Sequence, residues 1–288
     1  MRRLETAPNH SWLEVSRRLW SKMKSDNVFG RAAELAYFFF FSIFPLLIAL
    51  TSLLRVVSGG GQFQRELLRY FHAALPGPAY ELLAATLKDV TDSNAGGQLS
   101  LGIAITMASA SAGMVAVIEG LNTAYDVREA RTWLRRQRVA FLLTLALLMF
   151  LILALAFFIY GPQSGAFLAQ HVGFRPLFRT AWPVMQWPIA FLFVLTAMAL
   201  IYRFAPNVRG QQWKHIFPGA IAAFLLWLAA SVGLRMYLSI YNGYTAAYGS
   251  LGAVMILMLW FYLFGLAILV GGELNSILAA SLDNKNLG

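Results

Sequence analysis

ELAYFFFFSIFPLLIALTSLLR, Glu34 to Arg55, is apolar enough to lie in lipid, yet it opens on a carboxylate, holds Pro45 in its interior and closes on an arginine. Ionisable residues in a span are costly unless they are paired or serve a purpose, so this stretch sets both the fold class and the first functional question. Pro45 has no N–H for the carbonyl of Phe41 and its ring displaces that turn, which predicts a kink where Ser42 satisfies the freed group. Arg55 falls at the outer end, where its long side chain can reach the headgroups.

The whole chain supports the membrane reading. Of its 288 residues 59% are hydrophobic and only 12% charged, and mean hydropathy is +0.61, whereas a soluble domain carries about 25% charge. With roughly 20 apolar residues per crossing, six spans are expected: Ala33 to Val57, Leu99 to Leu121, Val139 to Tyr160, Pro183 to Tyr202, Ile216 to Leu238 and Tyr248 to Gly271. MRRLETAPNH has no apolar core of a signal peptide, so the first span is read as a retained helix.

Lysine and arginine alternate by segment. Arg2, Arg3, Arg17, Arg18, Lys22, Lys24 and Arg31 precede the first span; Arg128, Arg131, Arg135, Arg136 and Arg138 fill the second loop; Arg203, Arg209 and Lys214 lie in the fourth. The other loops carry only Arg65, Arg69, Lys88, Arg175 and Arg179. This bias places both termini in the cytoplasm and accounts for the net charge of +10 without nucleic acid as a partner. The fold class is therefore all-α, a single polytopic domain: residues 1–30 a cytoplasmic amphipathic segment, 31–280 a six-helix bundle with an external loop at 58–98, and 281–288 a cytoplasmic tail.

His10 to Lys24 sets Trp12, Leu13, Leu19, Trp20 and Met23 against four cations, the pattern of an interfacial helix on an anionic leaflet. In the external loop, QFQRELLRYFHAAL and AYELLAATLKDV are amphipathic segments separated by PGP and expected to lie over the outer mouth of the bundle.

No catalytic residue, metal site or cofactor is expected. Cysteine is absent, the four histidines lack the i, i+4 spacing of a metal clasp, and neither a phosphate-binding GxxxxGK nor a GxSxG elbow occurs. Asp89 and Asp92 have no third ligand nearby and read as a solvated helix end. What stands out is packing: Ala104, Ala108, Ala112, Ala116 and Gly120 recur every four residues along the second span, a small-residue stripe that lets another backbone approach. Gly249, Gly252, Gly265, Gly271 and Gly272 repeat the theme in the sixth.

DNVFGRAAELAYFFFFSIFPLL at 26–47, SASAGMVAVIEGLNTAYDVREART at 109–132, YRFAPN at 202–207 and YGSLGAVMILMLWFYLFGLAILVGGELN at 248–275 together resemble the YihY family of bacterial inner-membrane proteins, also called BrkB and long labelled ribonuclease BN. The resemblance covers roughly residues 15 to 280. It implies a six-helix protein of the bacterial inner (cytoplasmic) membrane, linked to serum resistance and to envelope lipid transport. No acidic or histidine constellation for phosphodiester cleavage faces the basic loops, so ribonuclease activity is not expected.

Glu34, Glu119 and Glu273 all fall at inner ends of expected spans, with Arg203 and Arg131 expected at the same depth and with Asn122 three residues after Glu119 and Asn275 two after Glu273. The hypothesis is that they converge in one polar layer beneath the Pro45 kink, a route or gate for an anionic headgroup or, alternatively, a structural salt-bridge knot. Transport of a lipid or other amphipathic anion is the leading function. A scaffold in envelope assembly is the alternative, with membrane lipids, envelope proteins or a second copy as partners.

Overall fold

The computed structural model describes residues 12–58, 65, 68–69, 71–72, 75–92, 99–171, 175–208, 211–240 and 250–285, and gives only the backbone for some helical positions, 44–58 and 101–106 among them. All regular structure in these residues is helical. The elements are α1 (Trp12–Ser25), α2 (Val28–Ser58), α3 (Gly77–Asp92), α4 (Leu99–Ala124), α5 (Trp133–His171), α6 (Arg175–Phe204), a 3-10 turn (Trp213–His215), α7 (Phe217–Ile240) and α8 (Ser250–Lys285). Four segments among the described residues are long and apolar enough to cross a membrane: Trp133–Phe158, Val184–Phe204, Trp213–Ile240 and Leu251–Ala280. α2 and α4 are helical across the first two expected spans; the side chains at 44–58 and 101–106, with Ala104, lie outside the described residues. The helix continues through Pro45, whose side chain is likewise outside them, and the Ser42 hydroxyl donates to the carbonyl of Phe38 at 2.7 Å rather than to that of Phe41.

Two asparagine-like corners set the chain path. Asn27 and Asp126 adopt positive φ, 51° and 53°, a conformation that short polar side chains tolerate better than others. The first ends α1 and starts α2; the second stops α4 and turns the chain into the loop before α5.

α8 is the central helix, against which α1, α2, α3, α4 and α7 pack. Its glycines explain how so many neighbours fit. A Cβ at Gly265 would lie 3.0 Å from that of Leu35 on α2, and one at Gly272 would meet Leu121 on α4 at 2.5 Å. Across the α7 contact, a Cβ on Gly219 would collide with the carbonyl oxygen of Gly271 and the side chain of Asn275. This is backbone-to-backbone packing, the contact that drives helix association where lipid competes equally for apolar side chains.

α3, from the expected external loop, is helical and packs inward. Ala79, Leu83 and Leu87, together with Leu75, pack into a second buried cluster with Ala36 of α2 and Leu257 and Phe261 of α8. The reason is periodicity: Ala79, Leu83 and Leu87 share one face at i, i+4 and i+8, wide enough to bury between two helices. Arg235 on α7 ties this region down by donating to the carbonyls of His72 and Leu75 at 3.3 and 3.0 Å.

Gly219→Ala is expected to destabilise the protein by about 1–3 kcal/mol through overpacking at the α7–α8 contact. Thermal unfolding in detergent checks this, and an unchanged midpoint would mean that the two backbones are free to separate.

Candidate functional site

One end of the bundle is knit by polar bonds, and Lys22 is its centre. Val15, Leu19, Lys22 and Met23 follow the i, i+4, i+7, i+8 pattern of a single helix face. Val15 and Met23 are buried and Leu19 packs against the core, so the same face carries the ammonium inward. Its Nζ lies 2.9 Å from Glu273 on α8, 3.0 Å from Asp126 and 3.4 Å from Asp26, and it donates to the carbonyl of Ala124. Glu273 is 0% exposed, and neither of its carboxylate oxygens has a hydrogen bond of normal geometry among the described residues. The nearby ammonium is what offsets the cost of burying this charge. Burial alone would lower the pKa of Lys22, but Glu273 and Asp126 more than reverse that and hold it above its ordinary 10.5.

A second knot joins the α4–α5 loop to the end of α6. Arg131 grips Glu129 with Nε and Nη2, both at 2.7 Å, and its backbone N–H donates to the same carboxylate at 3.0 Å. Nη2 also donates to the carbonyl of Ala205 at 2.8 Å. Asn122, buried on α4, donates to Glu129 at 2.8 Å while accepting the backbone N–H of Asn207 at 2.7 Å. The Arg131 fork holds Glu129 down at about 2, against an ordinary 4.5, with burial opposing and Asn122 assisting.

A third joins α8 to the start of α7. Asn275, fully buried, accepts the Gly219 N–H at 2.6 Å and donates to the carbonyl of Ile216 at 3.0 Å. Gln211 donates to the Tyr125 hydroxyl at 2.9 Å, and burial pushes that phenol up to about 12.

A groove of about 790 Å³ opens between α4 and the start of α5. Met107, Ala108, Phe141 and Leu142 supply apolar wall; Ser111, Gln137 and Arg138 supply the polar part, with Gln137 donating to Ser111 at 3.3 Å. Arg138 is exposed and makes no ion pair among the described residues. Beside it Arg136 Nη1 contacts Glu119 on α4 at 2.5 Å.

The chain matches the family model described as Virulence factor BrkB over residues 19–287. It belongs to the BrkB family. Among its relatives, the ribonuclease-like protein YfkH of Bacillus subtilis (strain 168) is 33% identical over 249 residues, 86% of this chain and 89% of that protein. UPF0761 membrane proteins of Xanthomonas oryzae pv. oryzae (strain PXO99A) and Xanthomonas campestris pv. campestris (strain 8004) are 29% and 28% identical over 292 residues. These alignments cover 94% of this chain but only 64% of either relative, so the chain spans less than two thirds of their length. No solved structure matches.

The geometry places the sequence-predicted residues of this BrkB-family chain unevenly. Glu119 and Glu273 share a level, because Gly120 packs on Leu269 and Leu121 on Gly272. Asn122 and Asn275 sit in the same end. Glu34 does not: its neighbour Leu35 packs against Gly265, eight residues and about 12 Å before Glu273 on α8. Glu34 is exposed, with no ion pair or hydrogen bond among the described residues. Arg203 lies 6.0 Å from the ring centre of Trp213 and meets no acid among the described residues, and Arg131 is taken by Glu129. The small-residue stripe also divides, because each four-residue step turns 40° around a helix. Ala116 and Gly120 are buried, Ala112 is half-buried and Ala108 opens onto the groove. Lys22, Glu129, Asp126 and Arg136 were not singled out from sequence, although the face shared by Lys22 with Val15 and Met23 was a usable signal.

Lys22→Met strands Glu273 in the interior, and its expected cost is about 3–5 kcal/mol. Adding Glu273→Gln should recover part of that loss in a thermal melt; additive losses would show that the two side chains do not interact. Glu129 gives a pH prediction. Its folded value is depressed, so its contribution is complete above 4.5 and fades as pH falls towards about 2. Glu129→Gln should melt lower than the parent near neutral pH, and the gap should close on acidification; a gap independent of pH would contradict the assignment.

Proposed function

We propose that this BrkB-family membrane protein takes up a lipid or other amphipathic anion from the bilayer and passes it along the bundle. The observation that carries the reading is the groove between α4 and α5, apolar along Met107, Ala108 and Phe141 and bearing the exposed guanidinium of Arg138. Apolar walls with a few placed polar groups suit a molecule with a chain and a charged head. Arginine suits a phosphate or carboxylate head because its planar fork can donate two parallel bonds. The family resemblance to envelope lipid transport agrees with this, as an analogy.

The alternative reading, a non-transporting scaffold, is favoured by a different observation. Glu273, Asn122 and Asn275 are bound into the knots around Lys22, Arg131 and the start of α7, and none of them lines the groove. In the transport reading these residues fix the frame and the groove does the binding.

The two readings separate in proteoliposomes carrying headgroup-labelled phosphatidylglycerol. Transport predicts protein-dependent movement of label between leaflets, slowed about tenfold or more by Ala108→Trp, which fills the groove with an indole. Movement at the protein-free rate, or movement indifferent to Ala108→Trp in a protein that still melts normally, would reject it.

A further inference from the structure

The Glu119–Arg136 pair has an unusual place for a structural salt bridge. Ala108, Ala112 and Glu119 lie within about 40° of one another around α4, since four residues advance the helix by 400° and eleven by 1100°. They mark one face that runs about 16 Å from the apolar groove to a carboxylate. Both partners remain open to the surroundings, Glu119 at 41% and Arg136 at 24% of full exposure. The pair also leaves most of the arginine unused. Among the described residues only Nη1 meets Glu119, while Nε is buried with no hydrogen-bond partner, although a guanidinium carries five N–H donors in a fork made for two acceptor oxygens. Compare Arg131, where Nε and Nη2 grip both oxygens of Glu129 and the backbone N–H adds a third bond. Arg136 does not itself line the groove, but it immediately precedes Gln137 and Arg138 of the groove wall, and a half-engaged guanidinium at the end of that face is the arrangement a second anion can complete.

Resting on the reading of the groove given above, we propose that Arg136 is a headgroup-binding residue for an acidic phospholipid, and that Glu119 is its internal competitor. In the empty groove Glu119 neutralises Arg136. When a lipid lays its acyl chain along Ala108 and Ala112, its phosphate takes the guanidinium and Glu119 turns out to the polar boundary. Arg138, which pairs with no carboxylate among the described residues, attracts the same anion to the wall. A zwitterionic lipid gains less, because its ammonium brings a positive charge to the same place.

This assigns opposite signs to the two halves of one ion pair. Purified full-length protein is titrated with phosphatidylglycerol and, in parallel, phosphatidylcholine, and bound lipid is counted by native mass spectrometry. Glu119→Gln should bind phosphatidylglycerol about fivefold more tightly and Arg136→Gln about fivefold more weakly, the scale of one cation acting on an acidic lipid. Phosphatidylcholine should move less than twofold in either. Arg136→Lys, which keeps the charge and loses the fork, should fall between. A purely structural pair would shift both variants the same way, or neither, and that result overturns the proposal. If Glu119→Gln melts too low to measure, Arg136→Lys against Arg136→Gln decides it: equal affinities for phosphatidylglycerol in all three forms of residue 136 overturn it as well. Loss of phosphatidylglycerol in Ala108→Trp with no response to Glu119 or Arg136 would reject this inference and leave the groove standing, whereas no retention by the unmodified protein would reject both.

Discussion

The fold depends at its polar end on one buried charge. A carboxylate with no solvent contact is tolerated only beside a counter-charge, and Glu273 receives it from Lys22, a residue outside the bundle proper. Because that ammonium also touches Asp26, Asp126 and the Ala124 carbonyl, a single side chain fixes α1 to α8 and both of these to the end of α4. The left-handed corners at Asn27 and Asp126 turn the chain beside the acids that meet the lysine. The glycines of α8 then allow α4 and α7 to close on that axis.

Much of this architecture was legible in the sequence, and the misses have physical causes. Helical class and membrane character follow from composition, and the small-residue positions 116 and 120 pack as their size requires. Glu119 and Glu273 lie near one level of the bundle, and each sits about one turn from the end of an apolar run. Glu34 misled because the apolar run begins later than the helix: α2 starts at Val28, six residues earlier, so this glutamate lies well along it. The partners of the acids were harder to read. Sequence spacing picks out residues on one helix, but Lys22 reaches Glu273 across some 250 positions, and Glu129 meets Arg131 in a loop where no periodicity guides the eye.

The polar end and the groove have different characters. In the former, Asn122 and Arg131 have partners on backbone groups as well as side chains and Asn275 holds two backbone groups, so their positions are over-determined. Such networks specify one arrangement of helices and resist change. Around the groove the polar side chains are partly engaged at most, and the walls are apolar. A frame that does not move beside a surface with spare bonding capacity is the division of labour expected where binding is carried by rigid elements.

α5 shows how such a surface arises at all. Its lipid-compatible stretch is Trp133–Phe158, but the opening WLRRQR carries three arginines, so the apolar part begins at Val139 and gives about 30 Å of helix, the thickness of a hydrocarbon layer. The groove is lined from both sides of that boundary, by Leu134, Gln137 and Arg138 before it and by Phe141 and Leu142 after it, so one surface offers a charged mouth and an apolar floor.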